Sequence, residues 1–176
     1  MTATRVVVAC VECQVHWYGD NEPAQCTDPD HQHQEFSVHV HRSVVVLPDG
    51  TEFTGVSFDP LDPYGRTQTP DYGLYFAPQW QPPWIHQNLD WPDLGVPDDA
   101  DLLLAALNSL LDRSRSGERV EVGCIGGHGR TGTALACLAI LTGVPPDQAV
   151  AWVRANYCGE AVESAEQEAF IFGLVT

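Results

Sequence analysis

The chain has 176 residues, of which 44% are hydrophobic, and it includes five Trp, five Tyr and six Phe. A chain of this size and composition can bury a sizeable core as one domain, which excludes intrinsic disorder. The formal net charge is −16, with only eight Lys and Arg residues. Because nucleic acids and anionic membranes are bound through such cations, neither is expected as a partner, and the acidic excess is ascribed to solubility.

No stretch of the sequence predicts membrane insertion or export. The longest unbroken apolar run, Ala134 to Leu141, is far shorter than the ~20 residues that a membrane-spanning helix needs. Residues 1–10 contain one arginine and lack the hydrophobic stretch of a signal peptide. The chain has six cysteines, and a reactive thiol needs a reducing environment to stay free. We therefore expect a cytoplasmic protein.

A group of cysteines and histidines near the N-terminus has the spacing of a metal site. Cys10 and Cys13 form a Cys-x2-Cys pair, which can place two thiolates on one ion. Cys26, together with either His31 or His33, would complete a tetrahedral site of three cysteines and one histidine for structural zinc. Two alternatives stay open: unrelated free thiols, or a redox-active Cys-x2-Cys pair.

Three β-strands are predicted in the N-terminal third. Residues 6–8 are β-branched and favour a short strand. Residues 37–47 alternate between polar and apolar side chains and end in a valine run, and residues 51–58 offer a second strand. Pro48-Asp49-Gly50, between them, is a strong turn signal. The sequence therefore predicts a β-hairpin. We expect the other histidines of this region on the surface or on a strand face: His16, His39 and His41.

The composition changes after the hairpin, and we divide the chain there. Residues 1–58 would form a small β extension that holds the metal ligands, and residues 59–176 an α/β core, both packed as one domain. Residues 59–84 are rich in proline and aromatic residues and predict a long ordered loop with a short strand near residues 73–76. Residues 85–89 are predicted to form the next strand.

The second half is mainly helical. A helix from Asp98 to about Arg115 has acids in its first turn and arginines in its last, as the helix dipole favours. A strand over residues 119–123 precedes a helix from Thr131 to Thr142 that is apolar on all sides and should be buried. These elements predict an α/β fold with a central, mostly parallel mixed sheet flanked by helices. Two further helices are predicted to begin at Pro146 or Asp147 and at Ser164.

A glycine-rich turn joins the strand to the buried helix. Cys124 would end the strand, and Arg130 follows after a loop that contains three glycines. Glycines let consecutive amide groups turn inward around an anion, with the positive end of the helix behind them. The same field would hold Cys124 as a nucleophilic thiolate, and Arg130 offers a planar fork for two phosphoryl oxygens. The loop is therefore expected to bind a phosphate above a nucleophile.

Two motifs together resemble the cysteine-dependent protein tyrosine and dual-specificity phosphatases. This family carries a Cys-x5-Arg-Ser/Thr loop, here Cys124 to Thr131. It also carries a Trp-Pro-Asp loop upstream, here Trp91 to Asp93 within the stretch Leu89 to Pro97. The resemblance covers roughly residues 85–175 and implies a hydrolase with the α/β fold described above.

The resemblance also implies a role for each motif residue. Cys124 would attack phosphorus and form a phosphocysteine, and Asp93, rather than Asp90, would protonate the leaving group. Thr131 would donate a hydrogen bond to the departing sulfur, and the acid loop would close over the site. No metal or other cofactor is expected for catalysis. The substrate-binding groups would be the backbone amides of Ile125, Gly126, Gly127, His128, Gly129 and Arg130, with the Arg130 side chain.

The expected substrate is a phosphorylated protein or a small phosphate monoester. Family members that act on inositol phospholipids have more basic loops, so we favour phosphotyrosine or mixed phosphoprotein substrates. One alternative is a catalytically weak module that binds phosphoproteins, although the intact motif residues argue against it. Another is a small-molecule phosphatase, or an enzyme that handles sulfur or arsenate. The sequence does not indicate an oligomeric state.

Two positions depart from the family pattern. Histidine usually precedes the nucleophile, but Gly123 stands here, which predicts a less favoured thiolate and slower turnover. Gln167 resembles a glutamine that positions water in some members. However, Ser164 and Gln167 also have the spacing of a helix capping box, and Glu163 stands where that glutamine is usual.

Overall fold

The computed structural model describes residues 2–10, 12–13, 16–18, 26–59 and 61–174. Within these residues the chain forms seven strands and four helices. The strands make one mixed sheet in the spatial order β2-β1-β3-β4-β7-β5-β6. In chain order the elements are β1 (Thr2–Cys10), β2 (His16–Tyr18), β3 (His33–Val46), β4 (Glu52–Ser57), β5 (Tyr72–Tyr75), β6 (His86–Asn88), α1 (Ala100–Arg115), β7 (Val120–Cys124), α2 (Gly129–Leu141), α3 (Pro146–Asn156) and α4 (Ala165–Phe172).

The half of the sheet next to the helices is mainly parallel. β7 lies between β4 and β5 and runs parallel to both, and β6 runs parallel to β5. β3 joins β4 antiparallel through the predicted hairpin, and β1 and β2 extend the sheet beyond β3. The predicted α/β class, with a mostly parallel mixed sheet flanked by helices, is confirmed.

Helix α2 is the centre of the core. All its residues from Gly129 to Ile140 are buried, because the helix contacts β4, β7 and the three other helices. A helix that is apolar on every side can be buried completely, because none of its faces carries polar side chains that need water. The prediction of a buried central helix is confirmed. Within the described segments, none of the helices combines the length and apolarity needed to cross a membrane.

The N-terminal strands differ most from the sequence prediction. β1 extends well beyond residues 6–8, because it pairs with β3 along its whole length, from Thr2 opposite His41 to Cys10 opposite His33. The sequence does not predict β2, whose three residues are too few for a periodic pattern. The division at residue 58 stays a prediction. β4, before that point, pairs with β7, after it.

A buried ion pair fastens the segment before β5 to β7. Glu121 is 2% exposed, and both its oxygens accept hydrogen bonds from Arg66, at 3.0 and 2.9 Å. The Tyr75 hydroxyl also donates to Glu121, and Trp84 Nε1 donates to that hydroxyl at 2.7 Å. Burial, and then the Glu121 charge, raise the pKa of Tyr75, so its hydroxyl remains a donor.

Candidate active site

Cys124 is the last residue of β7, and α2 begins five residues later. Because β4 and β5 flank this strand, Cys124 is only 2% exposed. Two groups donate hydrogen bonds to its sulfur: the Gly127 amide at 3.2 Å and the Thr131 hydroxyl at 3.1 Å. Donors aimed at sulfur stabilise negative charge there, as a nucleophilic thiolate requires.

The turn of the loop depends on Gly127. Its φ is +76°, in the left-handed region that favours glycine, and an added Cβ would lie 3.0 Å from His41 and from Ser57. The Gly127 carbonyl accepts a hydrogen bond from the Tyr157 hydroxyl at 2.6 Å. Burial, and then the sulfurs of Cys124 and Cys158, raise the pKa of Tyr157. Tyr157 therefore stays protonated and holds the loop so that the Gly127 amide faces Cys124.

Arg130 connects this loop to the Trp-Pro-Asp stretch. Its side chain is buried, and Nη1 donates to the carbonyl oxygens of Phe76 at 2.8 Å and Trp91 at 3.1 Å. Nη2 lies 3.0 Å from Asp93 Oδ1. Nε is buried and has no hydrogen-bond partner among the described residues. A buried donor of this kind is costly to leave unpaired, and an oxyanion above Cys124 would satisfy it.

The stretch that carries Asp93 is anchored on one side and exposed on the other. Trp91 is buried against Phe76, and its Nε1 donates to the Gly95 carbonyl at 2.9 Å. Leu94 has a φ of +59°, which turns the chain sharply after the acid. The Asp93 side chain is 77% exposed and contacts the site through Arg130. Asp93 is thus placed at the mouth of the loop while the backbone around it is held.

Two side chains from the start of α4 lie beside the loop. An added Cβ on Gly129 would clash with Glu163 Oε2 and would lie 3.0 Å from Gln167 Nε2. Gln167 is fully buried, accepts from the Glu163 amide at 2.9 Å and donates to the Gly95 carbonyl at 3.3 Å. Ser164 caps the helix through the Gln167 amide, so one half of the expected capping box forms. The other half does not, because the Gln167 side chain bonds the Glu163 amide instead.

His128 is buried between His41 of β3 and Cys158, which follows α3. Its Nε2 lies 3.2 Å from His41 Nε2, and its Nδ1 lies 3.5 Å from the Cys158 sulfur. The sequence predicts His41 on the surface or on a strand face; it lies on β3 and is fully buried. The signal was present in the sequence, because period-two alternation puts His41 on the same face as the buried Val45.

The comparisons with known proteins agree with this geometry. The model of the family described as "PTP-SAK: Swiss Army Knife protein, DSP-PTPase phosphatase domain" matches residues 82–171. The chain belongs to this phosphatase family. It is thereby a member of the cysteine-dependent tyrosine and dual-specificity phosphatase superfamily, as the two motifs indicated.

Among curated proteins, two uncharacterized proteins of Methanocaldococcus jannaschii are similar to this chain. MJECL20 is 44% identical and MJ0215 is 42% identical, each over 81 residues that make up 45% of this chain. These residues cover 52% and 48% of the two relatives. The chain therefore spans about half the length of the curated relatives that it matches.

Solved structures similar to this PTP-SAK chain share its fold. Kinase associated phosphatase, with its catalytic cysteine replaced by serine, gives a TM-score of 0.61 at 16% identity, over 75% of this chain and 92% of its own. Tyrosine phosphatase TcPTP1 of Trypanosoma cruzi gives 0.60 at 15% identity, over 87% and 74%. Tk-PTP in its active form gives 0.54 at 21% identity, over 70% and 92%.

The structure gives a physical reason for Gly123 at the position before the nucleophile. A Cβ there would lie 2.5 Å from Val56 Cγ2 and 2.9 Å from the Val56 carbonyl oxygen. Such distances are too short for real contacts, so β4 and β7 could not keep their present pairing. In this PTP-SAK chain the close approach of the two strands takes the space that a histidine would need.

A separate cavity of about 720 Å³ opens at the other end of β7, around Val120 and Glu121. Three arginines contribute to its lining, and each is already paired with a carboxylate. These pairs are Arg66 with Glu121, Arg115 with Asp49, and Arg119 with Asp71. Since the charges there are neutralised, this cavity is a poorer phosphate site than the loop at Cys124.

The residues predicted as metal ligands form a separate group at the end of β1. The ligand atoms of Cys10, Cys13, Cys26 and His31 all lie within 4.8 Å of one another. The group contains His31, whereas His33 stands opposite Cys10 in the β1–β3 register. The structure thus brings together the predicted cysteines and one of the two candidate histidines.

Proposed function

We propose that this PTP-SAK chain hydrolyses phosphate monoesters through a phosphocysteine intermediate on Cys124, acting on phosphotyrosine or mixed phosphoprotein substrates. One observation carries the proposal. The Cys124 sulfur accepts hydrogen bonds from Gly127 and Thr131 in a loop whose Arg130 reaches the Trp-Pro-Asp stretch. The nucleophile, the anion-binding groups and the acid thus meet at one end of β7. The phosphatase family match supports this assignment.

Substrate binding would use the loop amides and the Arg130 guanidinium. Oxygens of the phosphoryl group would face the amides of residues 125–130 and the buried Nε of Arg130. Asp93 would leave Nη2 as a phosphoryl oxygen approaches, and its exposure permits that motion. Arg130 Nη1 would keep its bonds to Phe76 and Trp91 and so hold the guanidinium in place.

In the first chemical step the Cys124 thiolate attacks phosphorus in line with the ester oxygen. The S–P bond forms as the P–O bond breaks, and the electron pair of that bond goes to the leaving oxygen. Asp93, protonated, gives its proton to this oxygen, so that an alcohol or phenol departs. The products of this step are the phosphocysteine and an ionised Asp93.

In the second step water attacks phosphorus on the side that the alcohol has left. Asp93 accepts a proton from this water, the P–S bond breaks, and its electron pair returns to Cys124. The Thr131 hydroxyl, 3.1 Å from the sulfur, donates to the departing thiolate. Inorganic phosphate leaves and Asp93 is protonated again. We propose that no metal ion takes part in either step.

The choice of substrate class rests on the charge around the loop. The five residues between Cys124 and Arg130 contain no lysine or arginine, and the chain as a whole carries a net charge of −16. A substrate with several phosphates would need more cations than the loop offers. A single phosphate on a tyrosine, serine or threonine side chain suits one arginine and a ring of amides.

The experiment compares wild type, Cys124→Ser and Cys137→Ala for hydrolysis of p-nitrophenyl phosphate under reducing conditions. Cys137 is a matched control, because it is a fully buried thiol of α2, and burial raises its pKa to about 12. We expect activity in wild type and Cys137→Ala and none in Cys124→Ser. Rapid acid quenching with labelled substrate should leave phosphate on wild type and on Cys137→Ala, as phosphocysteine, and none on Cys124→Ser.

Each other outcome of this test identifies a different function. A folded, reduced wild type that binds phosphopeptides without hydrolysis would identify a binding module instead. Hydrolysis of soluble phosphometabolites but not of phosphopeptides would replace the proposed substrate class. Equal rates on phosphotyrosine and phosphoserine peptides would favour mixed phosphoprotein specificity over a tyrosine preference.

A further inference from the structure

Four side chains at the C-terminal end of β1 direct their sulfur and nitrogen atoms toward a common point. Cys10 ends β1, and Cys13, Cys26 and His31 surround it. The Nδ1 atom of His31 lies 3.6 Å from the Cys10 sulfur, 3.3 Å from that of Cys13 and 3.4 Å from that of Cys26. The sulfurs of Cys13 and Cys26 are 3.7 Å apart. Three sulfurs therefore surround one imidazole nitrogen at nearly equal distances.

These distances match the edges of a zinc tetrahedron. Bonds of ~2.3 Å to sulfur and ~2.0 Å to nitrogen imply edges of roughly 3.8 Å between sulfurs and roughly 3.5 Å between sulfur and nitrogen. A disulfide between Cys13 and Cys26 would need an S–S distance of about 2.0 Å, so the contact is not an oxidised pair. Cys10 is likewise a free thiol, so all three cysteines can supply a sulfur to one ion.

The surroundings of the four atoms also suit a metal. His31 Nε2 lies 3.5 Å from the Asp28 carboxylate, which would fix the ring with Nδ1 turned to the sulfurs. The Cys13 amide donates to the Cys10 sulfur at 3.4 Å, a bond that stabilises a bound thiolate. A carboxylate behind the histidine and an amide on a thiolate are the usual supports of a zinc ligand set.

The apolar packing around this group is slight. Among the described residues, the buried hydrophobic cluster here consists of Val8, Cys10 and Cys26. So small a cluster contributes little free energy to order the segments on either side, whereas a bound zinc ion supplies folding free energy directly. Two of the three cluster members are themselves proposed ligands.

We propose that Cys10, Cys13, Cys26 and His31 bind one structural zinc ion that ties the end of β1 to the segment before β3. Four protein ligands close the coordination sphere, so the ion has no open position for water or substrate. Binding displaces the thiol protons to solvent as the thiolates form. The ion fastens the β1–β3 pair. β3 continues from there to His41, which contacts His128 of the phosphate loop, residues 124–130.

The test measures metal in the full chain, purified without chelator. We expect one zinc per chain, and replacement by cobalt should give the visible spectrum of a tetrahedral ion with sulfur-to-cobalt charge transfer. A chelator should remove the zinc and lower the melting temperature. A folded chain that holds no zinc, takes up no cobalt after full reduction and melts at the same temperature with and without chelator would overturn the proposal. Iron in place of zinc would also overturn it.

Matched variants identify the ligands. His31→Ala should weaken zinc binding by more than about 100-fold, a larger effect than the loss of a supporting residue. His33→Ala should bind zinc like wild type. If His31→Ala does not fold, His31→Cys keeps the test open, because a site of four cysteines should still hold zinc. Retention of zinc by His31→Ala, or its loss from His33→Ala or His31→Cys, contradicts the assignment.

A further control covers the second group of possible ligands. His41, His128 and Cys158 also place their ligand atoms within 4.8 Å of one another. Cys158→Ser should retain the zinc, and its loss there would move the ion to the phosphate loop and refute the site at β1. This test is independent of the proposed phosphatase activity, because its readouts are metal content, spectrum and melting temperature.

Discussion

The side-chain amide of Gln167 links the last helix to the Trp-Pro-Asp stretch, through a hydrogen bond of 3.3 Å from Nε2 to the Gly95 carbonyl oxygen. The same amide accepts from the Glu163 backbone at 2.9 Å, and Gln167 is fully buried. Trp91 Nε1 donates to the same Gly95 carbonyl at 2.9 Å. One carbonyl thus fixes the position of the stretch that carries Asp93.

Replacing Gln167 should therefore impair turnover more than substrate binding. Gln167→Ala leaves the Glu163 backbone amide without its acceptor and removes a hydrogen bond from the Gly95 carbonyl. Leaving a buried polar group unpaired costs about 1–3 kcal/mol of free energy. We expect kcat on phenyl phosphate, whose leaving group needs a proton, to fall about tenfold with KM little changed. Gln148→Ala, at an exposed glutamine of α3, is the control. Equal kcat in the two variants would mean that Gln167 only holds the Glu163 backbone before α4.

His41 is expected to be a positioning residue for the phosphate loop. Its Nε2 faces His128 Nε2 at 3.2 Å, so one ring donates and the other accepts. His41→Phe keeps a ring against Tyr157 but removes the nitrogen, which should lower kcat roughly 5- to 50-fold through the lost buried bond. His86→Phe is the control, since His86 bonds to the Trp84 carbonyl instead. Unchanged kcat in His41→Phe would mean that His41 contributes only to packing.

The catalytic half of the fold could be predicted from the sequence because its signals are local. The acids and arginines of α1 and the apolar composition of α2 are both visible within a few neighbouring residues. Cys124, Arg130 and Thr131 lie within one loop, so their meeting also follows from spacing. The position of Asp93 against Arg130 depends instead on the family resemblance, because the two are far apart in sequence.

Contacts between distant segments could not be predicted. Nothing near His41 indicates that its partner is 87 residues away, and Arg66 and Glu121 are separated by 55 residues. Local patterns describe which face of a strand is buried but not which side chain it meets. The choice of His31 over His33 has the same cause, because both fit the ligand spacing and only the fold distinguishes them.

Gly123→Ala should destabilise the sheet. The new methyl group would lie 2.5 Å from Val56 Cγ2, and overpacking of this kind costs about 1–3 kcal/mol. We expect a melting temperature several degrees lower in thermal unfolding. Gly159→Ala is the control, because nothing lies within 4 Å of its added Cβ. Adding Val56→Ala to Gly123→Ala should recover part of the loss, and no recovery would point to a backbone cause.

The Arg66–Glu121 pair should matter for stability and not for catalysis. Arg66→Met leaves the buried Glu121 carboxylate without its cation, at a cost of about 3–5 kcal/mol in the free energy of unfolding. The double variant Arg66→Met with Glu121→Leu should recover roughly half of this in guanidinium unfolding, since no unpaired charge then remains buried.

A surface pair gives the control for this comparison. Arg119→Met breaks the exposed pair with Asp71 and should cost far less than Arg66→Met. At temperatures where the variants remain folded, kcat should be preserved in all of them, because Glu121 lies at the opposite end of β7 from Cys124. A kcat that falls with Arg66→Met in fully folded protein would show that the pair also supports the active loop.

The role of Asp93 can be separated from that of Asp90 by the leaving group. Asp93→Asn cannot donate a proton, so hydrolysis of phenyl phosphate, whose leaving group is basic, should slow by about 10²–10⁴. p-Nitrophenyl phosphate should slow less, because nitrophenolate departs without protonation. Asp90→Asn changes an exposed acid of the same stretch and should stay within about twofold of wild type on both esters. If Asp90→Asn instead shows the leaving-group dependence, Asp90 is the acid, and the contact of Asp93 with Arg130 serves only to hold the loop.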